Sequence, residues 1–313
     1  MLSAPPLPDF INPHPTETHP SYQTVKAMMR AWQRAGGSVI ESRRPSRISR
    51  KIFRRQPLAY TKSEAVVLPL MGPLKHWIPV LTPNQHRELY LFCWDVWPSN
   101  VSNWQEIFDH LRPRKVFMTA SDAARAWKNQ IFPVEWMAEA TDVSMFDPST
   151  PLIERRIDVL ELGRKWNWLH DSITDPLDKR GAHHLYQPDD TTIIFPTTER
   201  FIQGMEDSKC VVCVPGSITH PERYGRYVAL TQRYLETMAA GAIPVGVCPP
   251  DLRKLMGYNP VVELNQTHPL VTLEHVLDNL GMYSEVTERN RIAVERNADW
   301  RVRIEELRYA CNA

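Results

Sequence analysis

The stretch LTQRYLETMAAGAIPVGVCPPDL, residues 230–252, contains the pattern that decides the fold. Its first half has apolar residues at helical spacing and stops at a Gly, the residue that most often closes a helix. The run AIPVGV that follows is typical of a short buried strand, and two prolines end it. A helix that leads directly into a buried strand is half of a β-α-β unit, so this stretch predicts a parallel sheet.

The predicted helix of this stretch has two charged residues near its start, Arg233 and Glu236, among apolar neighbours. The positive end of the helix dipole favours a carboxylate near the first turn, so Glu236 has a purely structural interpretation. The alternative is that Glu236 binds a ligand at the point where the helix meets the sheet. Arg233 either pairs with Glu236 three residues on or reaches a ligand itself.

The same alternation runs through the first half of the chain. Its Pro-rich first twenty residues are predicted to be irregular, so no N-terminal strand is evident. Helices are predicted at residues 22–35, 103–111 and 121–129, and strands at residues 38–42, 65–70, 88–97, 115–121 and 134–140.

A Pro-containing junction, residues 141–156, precedes a second alternation. We therefore predict an α/β protein of two doubly wound Rossmann-like domains that face a cleft, residues 1–147 and residues 148–313, the second with the C-terminal helices. In the second half, strands are predicted at residues 157–163, 191–195, 210–215, 242–247 and 260–264, and helices from about residue 165, at residues 197–208 and 251–256, and from about residue 272. Residues 216–229 are predicted to be irregular.

Composition places the chain among globular proteins. It has 313 residues, 42% hydrophobic and 23% charged, with a net charge of +1, which does not favour bulk nucleic-acid binding. The N-terminus has no signal-peptide pattern, and no apolar run approaches the ~18 residues of a membrane span. Five irregularly spaced cysteines favour a reducing, cytoplasmic location. Cys210 and Cys213 are three residues apart on a predicted strand, so they point to opposite faces and are interpreted as core thiols.

The stretch YLETMAAGAIPVG resembles the nucleotide-sugar motif of glycosyltransferase-B enzymes of the group-1 and CgeB-like types. Three further stretches resemble parts of that family in the same order: VFMTASDAARAWKN, VEWMAEATDVSMFDP and IDVLELGRKWNWLHDSI. The resemblance covers residues 115–300 well and the first 114 residues poorly. It implies a glycosyltransferase of polysaccharide biosynthesis that moves a sugar from a nucleotide-diphosphate donor to a glycan or lipid-linked acceptor. It also implies that no cofactor is needed.

The resemblance assigns the donor site to the C-terminal half. It implies that Glu236 accepts hydrogen bonds from the ribose hydroxyls, while Thr231 and the start of the same helix receive the diphosphate. It also places a cation, Arg164 or Lys165 after Gly163, against the leaving diphosphate, where charge develops in the transition state. A solvated basic turn is the alternative. The sequence contains no Asp-x-Asp, so donor binding is predicted to need no metal.

The loop before this helix departs from the family pattern. Retaining members have an acidic residue eight positions before the ribose-binding glutamate, and here that position is Val228. The tetrapeptide ERYG offers Glu222 fourteen positions before Glu236, so a six-residue insertion would bring it to the donor sugar, with Ser217 and His220 on the same rim. An ordinary lid with a solvated Glu222 is the alternative, and the departure leaves retention of configuration open.

The N-terminal half is predicted to bind the acceptor. Asp95 follows a strand and has Trp94, Trp97 and Trp104 near it in sequence. Aromatic rings stack on sugars and a carboxylate deprotonates a hydroxyl, although such Trp groups are more often core. His76 competes for the role of base.

The segment from Arg43 to Arg55 has seven basic residues and no acidic one, with Ile48, Ile52 and Phe53 among them. This pattern fits docking on an anionic membrane, binding of an anionic acceptor, or a solvated loop.

A different class of function remains open, a non-catalytic nucleotide- or glycan-binding module of the same fold. The acidic residue missing at position 228 favours it, whereas the basic turn and the intact helix entry favour the enzyme. An oxidoreductase is poorly supported because no G-x-G-x-x-G follows a predicted strand.

Overall fold

A computed structural model describes residues 4–13, 22–41, 63–73, 88–189 and 192–312 of the protein. The chain divides into two compact units. Unit 1 contains Met1–Ala138, Arg223–Tyr227 and Trp300–Ala313, and unit 2 contains Glu139–Glu222 and Val228–Asp299. The predicted domains 1–147 and 148–313 stay a prediction.

Unit 1 has a parallel sheet whose described strands run in the order β2-β1-β3-β4-β5-β6. The strands are β1 (Asp9–Asn12), β2 (Val39–Glu41), β3 (Ala65–Met71), β4 (Glu88–Trp94), β5 (Lys115–Met118) and β6 (Val134–Trp136). Five of these strands fall where the sequence pattern predicts them, with each end within four residues of the predicted one.

Strand β1 contradicts the prediction that the first twenty residues are irregular. It pairs with β2 on one side and β3 on the other, and Phe10 and Ile11 are buried. Four residues between Pro8 and Pro13 are too short to show a strand period in the sequence. The segment forms a strand because two neighbours in the sheet supply its hydrogen bonds and cover its side chains, which is a tertiary effect.

Three helices in the first part of unit 1 follow the predicted amphipathic patterns. They are α1 (Gln23–Arg34), α2 (Val101–Leu111) and α3 (Ser121–Ala126). Helix α1 buries Val25, Met28 and Trp32, and the Trp32 indole donates a hydrogen bond to the Pro8 carbonyl at 3.1 Å. It ends before Gly36, whose φ of 82° is left-handed, as expected for a residue after a helix end.

Unit 2 has a second parallel sheet, with described strands in the order β11-β10-β9-β7-β8. The strands are β7 (Ile157–Glu161), β8 (His184–Tyr186), β9 (Ser208–Cys213), β10 (Ile243–Gly246) and β11 (Val262–Glu263). The helices that follow α3 along the chain are α4 (Asn167–Lys179), α5 (Thr198–Glu206), α6 (Gly216–Thr219), α7 (Pro221–Tyr224), α8 (Gln232–Ala239), α9 (Pro250–Met256), α10 (Pro269–Asp278) and α11 (Ser284–Asn297). Two parallel α/β sheets confirm the predicted fold class.

Two predictions for unit 2 are wrong in detail. The described part of the predicted strand 191–195 is irregular, and Ile193 in it is exposed. The strand at the edge of the sheet is β8 instead, whose three residues are only half-buried. A short edge strand needs no apolar run, so its sequence gives no strand signal. The loop predicted at residues 216–229 contains two short helices, α6 and α7.

Helices pack on both faces of the unit 2 sheet. One face packs under α8 and includes Leu160 and Cys213, and the other packs under α4 and includes Val159 and Cys210. The two thiols are free and buried, which confirms that they point to opposite faces as core residues. Burial raises the pKa of the Cys213 thiol to about 12, so it stays protonated at neutral pH.

The last helix, α12 (Trp300–Ala310), belongs to unit 1. The Trp300 ring lies 6.0 Å from that of Phe92 on strand β4, and Arg308 donates hydrogen bonds to the carbonyls of Pro5 and Ala35. The sequence interpretation places the C-terminal helices with the second half of the chain. The contacts of α12 instead connect the end of the chain with unit 1, because Trp300 fills the core there.

Candidate functional site

The carboxyl edge of the unit 2 sheet brings together most of the residues that the sequence analysis selects. Parallel strands all end at one edge, where open α/β sheets bind their ligands. Helix α8 leads into β10, so its N-terminus lies at that edge too. Gly163 to Lys165 follow β7, Ser217 to Glu222 follow β9, and Thr231 precedes α8.

The turn after β7 has the conformation that its sequence predicts. Gly163 has φ of 88°, a left-handed value that strains any residue with a Cβ. Arg164 is exposed, whereas Lys165 is half-buried. The Lys165 ammonium donates a hydrogen bond to the Pro188 carbonyl at 3.3 Å and lies 5.7 Å from the Tyr186 ring centroid. The Lys165 ammonium is thus held along the edge of the sheet by a carbonyl and a ring.

Thr231 is the N-cap residue of α8, as predicted, with extended backbone angles. Its side chain accepts no capping hydrogen bond from the described residues. The N–H groups of Gln232 and Arg233 in the first turn lie beyond the reach of the helix's own carbonyls. This end of α8 therefore presents a hydroxyl and backbone donors.

Glu236 lies in the second turn of α8 rather than at its start. The Arg233 guanidinium donates to Glu236 Oε2 at 2.9 Å, and the two side chains are 23% and 17% exposed. Burial raises the pKa of Glu236, and the nearby Arg233 opposes that shift. Arg233 also lies over the Phe201 ring, at 5.5 Å from its centroid. The structure thus shows the Arg233–Glu236 pair, while a phosphate contact by Arg233 stays a prediction.

Close packing under α8 requires small residues. Thr237 Oγ1 donates to the Arg233 carbonyl at 2.6 Å and lies 3.5 Å from Cys213 Sγ of strand β9. Gly241 follows the helix with φ of 62°. A Cβ at Gly246 would lie 1.8 Å from the Cys213 carbonyl oxygen, so no larger residue fits there. The backbone of β10 therefore approaches β9 closely just below the candidate site.

The loop after β9 contains the acidic residue that is displaced relative to the family pattern, and two short helices, α6 and α7, form its first part. The six-residue insertion expected between Glu222 and Glu236 stays a prediction. Ser217 and His220 are half-buried, whereas Glu222 is exposed on α7. His220 Nδ1 is buried and has no hydrogen-bond partner among the described residues. The roles of Ser217, His220 and Glu222 toward a donor sugar stay predictions.

In unit 1, Asp95 directly follows strand β4 and has φ of 56°, a rare left-handed value for a residue with a side chain. Its carboxylate accepts a hydrogen bond from Arg223 at 3.0 Å. Its carbonyl accepts hydrogen bonds from the side chains of Asn100 at 2.8 Å and Trp104 at 3.1 Å. Such strained residues cluster at functional sites, and here hydrogen bonds from three side chains hold the conformation. Sequence reasoning missed Arg223, because its partner lies 128 positions away.

The three tryptophans near Asp95 are core residues. Trp94, Trp97 and Trp104 are all buried, and the Trp97 ring packs on that of Tyr224 at 4.4 Å. The Trp94 ring packs near those of Phe92 and Trp300, and the Trp104 ring stacks on Phe108. Their proposed role as sugar-stacking surfaces is therefore wrong, and the core alternative holds. His76 and the segment from Arg43 to Arg55 lie outside the described residues. Among the described helices, none combines the length and apolarity required to cross a bilayer.

Sequence reasoning also missed a cluster at the same edge: Glu161, His170 and His184. Glu161 Oε2 lies 2.5 Å from His170 Nδ1 and 3.0 Å from His184 Nε2. Within the described chain, this is the group of side chains whose donor atoms are close enough to hold a metal ion. No sequence signal connects the three residues, because the strand containing His184 gives no strand pattern.

Comparison with known proteins identifies the fold. No protein-family model matches the sequence, and no curated protein matches it. Solved structures match over nearly the whole chain. Sucrose-phosphate synthase from Thermosynechococcus elongatus has a TM-score of 0.63 at 10% identity, covering 97% of this chain and 98% of that one. Anabaena HepE in complex with UDP and glucose has a TM-score of 0.60 at 8% identity, with coverage of 97% and 98%.

A third similar structure is an α-glucosyltransferase in complex with UDP and a 13-mer DNA containing an HMU base. Its TM-score is 0.59 at 10% identity, covering 97% of this chain and 99% of that one. These neighbours have the glycosyltransferase-B architecture, and the present chain has the same fold. The fold predicted from the helix-to-strand stretch and its resemblance is thereby confirmed.

Proposed function

We propose that the protein is a glycosyltransferase that moves a sugar from a nucleoside-diphosphate donor to a glycan or lipid-linked acceptor. The observation that carries the proposal is the likeness in fold, over 97% of the chain, to glycosyltransferases solved with UDP. A second support is the chemistry at the carboxyl edge of the unit 2 sheet, where the segments after β7 and β9 and the start of α8 supply hydroxyl, carboxylate, backbone and cationic groups. Work in the cytoplasm on polysaccharide biosynthesis is part of the same proposal.

Donor binding is proposed to centre on helix α8. A ribose presents two hydroxyls, and a carboxylate accepts hydrogen bonds from both. Glu236 uses Oε2 for Arg233 and makes no hydrogen bond through Oε1 to the described residues, so one oxygen is available and the other is held in place. Thr231 and the first N–H groups of α8 suit the diphosphate, which the helix dipole also attracts. Arg233 then acts as the residue that orients Glu236.

Departure of the nucleoside diphosphate is proposed to depend on the turn after β7. The leaving oxygen gains negative charge as the sugar-oxygen bond breaks, and a cation placed there stabilises the transition state. Arg164 is exposed and positioned by Gly163, and Lys165 supports the same turn through its contact with Tyr186. Because side chains supply this charge, donor binding and leaving-group stabilisation need no metal ion.

The stereochemistry proposed is retention, with the loop after β9 on the sugar side of the donor. Glu222 is exposed at the start of α7, and Ser217 and His220 precede it on the same loop. A buried imidazole nitrogen without a partner, such as His220 Nδ1, gains a hydrogen bond when a hydroxyl approaches it. A donor sugar offers such hydroxyls.

The acceptor is proposed to meet unit 1. Asp95 is held by Arg223, and a carboxylate so placed orients or deprotonates an acceptor hydroxyl. His76 remains the competing base. The basic segment from Arg43 to Arg55 is proposed to attract an anionic membrane or an anionic acceptor.

A non-catalytic nucleotide- or glycan-binding module is the second candidate. Two observations favour it: Val228 stands where retaining members have an acidic residue, and Glu236 is already paired with Arg233. Such a module binds nucleotide but transfers no sugar.

A panel of nucleotides and nucleotide sugars separates the candidates. Thermal unfolding is followed with UDP, GDP and NAD, and hydrolysis is then screened with labelled nucleotide sugars. The enzyme is expected to be stabilised by UDP or GDP and to release its sugar slowly to water. Stabilisation without turnover supports the binding module, and stabilisation by NAD alone contradicts both.

A further inference from the structure

Three residues from three elements meet at the carboxyl edge of the unit 2 sheet, on the face that packs under α4. Glu161 ends strand β7, His170 lies in the first turns of helix α4, and His184 begins strand β8. One nitrogen or oxygen of each lies within 4.8 Å of the others. The contacts through Glu161 Oε2 are 2.5 Å to His170 and 3.0 Å to His184.

The sheet register fixes this meeting. Val159 is the partner of His184 across the parallel pair, so the two side chains share a face. Glu161 is two residues beyond Val159 and points to the same face. Helix α4 packs there through Leu169 and Ile173, which brings His170 over the strand ends.

The cluster is largely shielded from water. The side chains of Glu161, His170 and His184 are 4%, 14% and 5% exposed. A carboxylate this buried needs a cationic partner or several hydrogen bonds. His184 Nδ1 is buried without a hydrogen-bond partner among the described residues, so contacts within the described chain do not satisfy this ring.

These three side chains are a donor set for a transition metal. Two imidazole nitrogens and one carboxylate oxygen suit Zn²⁺, whereas Mg²⁺ and Ca²⁺ prefer oxygen alone. Zinc bonds of about 2.0–2.2 Å in a tetrahedron place neighbouring donor atoms about 3.3 Å apart. The two measured contacts therefore need to open by less than about 1 Å, within the range of small side-chain rotations.

We propose that Glu161, His170 and His184 bind one Zn²⁺ ion. Three protein ligands leave a fourth position open to water or another small ligand. The Tyr186 ring, with its centroid 4.6 Å from that of His170 and 4.9 Å from that of His184, covers the two histidines. The ion cross-links the end of β7 and the start of β8 to the start of α4. It lies on the face opposite α8, and the Tyr186 ring that covers it is also the ring near Lys165, at 5.7 Å from the ammonium to the centroid.

The test is a titration of metal-free protein with Zn²⁺ in the absence of nucleotide, so its outcome is independent of the proposed function. Calorimetry is expected to give one equivalent with a dissociation constant of about 10 µM or tighter. His170→Gln and His184→Gln should each weaken binding about tenfold or more, because each removes a ligand. His275→Gln is the matched control, since His275 is exposed on α10 of the same unit.

A measurement on the wild type keeps the test decisive if a variant fails to fold in EDTA. Long-range proton–nitrogen spectra report each of the 11 histidine rings, and Zn²⁺ should shift the ring nitrogens of two of them. Circular dichroism in EDTA checks the fold of each variant. No saturable binding up to about 100 µM Zn²⁺ overturns the proposal. Binding that both variants retain, or shifts in other histidines, also overturn it, and the trio is then a hydrogen-bonded core group.

Discussion

Two buried carboxylates lie at the carboxyl edge of the unit 2 sheet, on opposite faces, and their partners differ in kind. Glu236, on the α8 face, pairs with Arg233, while Glu161, on the α4 face, meets two histidines. A guanidinium stays protonated and offers only donors, whereas a neutral imidazole has a lone pair for a metal. We infer that this difference in partners suits the α8 face to the proposed contact with ligand hydroxyls and the α4 face to the proposed metal ion.

The largest expected effect concerns Arg164. This residue follows strand β7, which ends at Glu161, and it is proposed to stabilise the leaving nucleoside diphosphate. Arg164→Ala should lower turnover about 100-fold, because it removes charge that is needed most in the transition state. Donor affinity should change only a few fold. Steady-state kinetics and calorimetry with an identified donor give both values.

The control for Arg164 is Arg180→Ala, which removes an exposed arginine paired with Asp278 after the end of α4. Turnover should be unchanged in this control. Equal turnover in Arg164→Ala and the wild type would show that the turn is a solvated surface. The proposed catalytic role of Arg164 would then be wrong.

Removal of the α8-face carboxylate should act on binding. Glu236→Ala is expected to weaken nucleotide affinity by about 1–3 kcal/mol, the scale of a lost charge-assisted hydrogen bond. Calorimetry with UDP and GDP measures the change, and circular dichroism checks the fold. Glu285→Gln, at an exposed glutamate in the first turn of α11, is the matched control and should bind as the wild type does. Unchanged affinity in Glu236→Ala would move the ribose site elsewhere.

The dependence of stability on pH tests the burial of Glu236. Burial raises its pKa in the folded state above the unfolded value of about 4.3, so the folded chain holds the proton to a higher pH. The wild type should therefore lose stability relative to Glu236→Gln as pH rises from about 4 through the folded pKa. Urea unfolding at a series of pH values measures this difference.

Asp278 provides the comparison of opposite sign. Its hydrogen bond with Arg180 lowers the pKa of this exposed carboxyl, so stability relative to Asp278→Asn should rise with pH over the acidic range. For Glu236, the outcome to exclude is a difference in the free energy of unfolding between the wild type and Glu236→Gln that does not change with pH. That outcome would mean that Arg233 compensates fully for burial.

The smallest expected effect is that of metal removal on nucleotide affinity. If the two faces act independently, UDP or GDP should bind with the same affinity in EDTA and in Zn²⁺, within about twofold. Calorimetry under both conditions is the measurement. Binding that depends on added Mn²⁺ or Mg²⁺ would contradict both the metal-independent donor site and the separation of the two faces.

Most helices and buried strands could be predicted from local patterns. Helix α1 shows its apolar stripe, Thr197 caps α5 by accepting a hydrogen bond from the Arg200 N–H, and the β9 run shows its burial. Strands β1 and β8 could not be predicted, because β1 lies between two prolines, β8 has no apolar run, and both take their hydrogen bonds from neighbours distant in sequence. Local propensity carries no information about such partners.

The candidate site divides in the same way. The turn at Gly163 and the N-cap at Thr231 follow from local chemistry and lie where expected. The ion pair between Asp95 and Arg223 and the cluster around Glu161 were not predictable, because side chains 128 and 23 positions apart meet there.

The sequence by itself determined the α/β alternation, the parallel sheets and the opposite faces of Cys210 and Cys213, because these depend on periods of two and 3.6 residues along the chain. The Arg233–Glu236 pair also follows from local spacing, since the two residues are three apart on one helix. Only the tertiary structure decided that Glu161 meets His170 and His184. That outcome depends on strand register and helix packing: the pairing of Val159 with His184 places His184 beside Glu161, and helix α4 brings His170 over the same face.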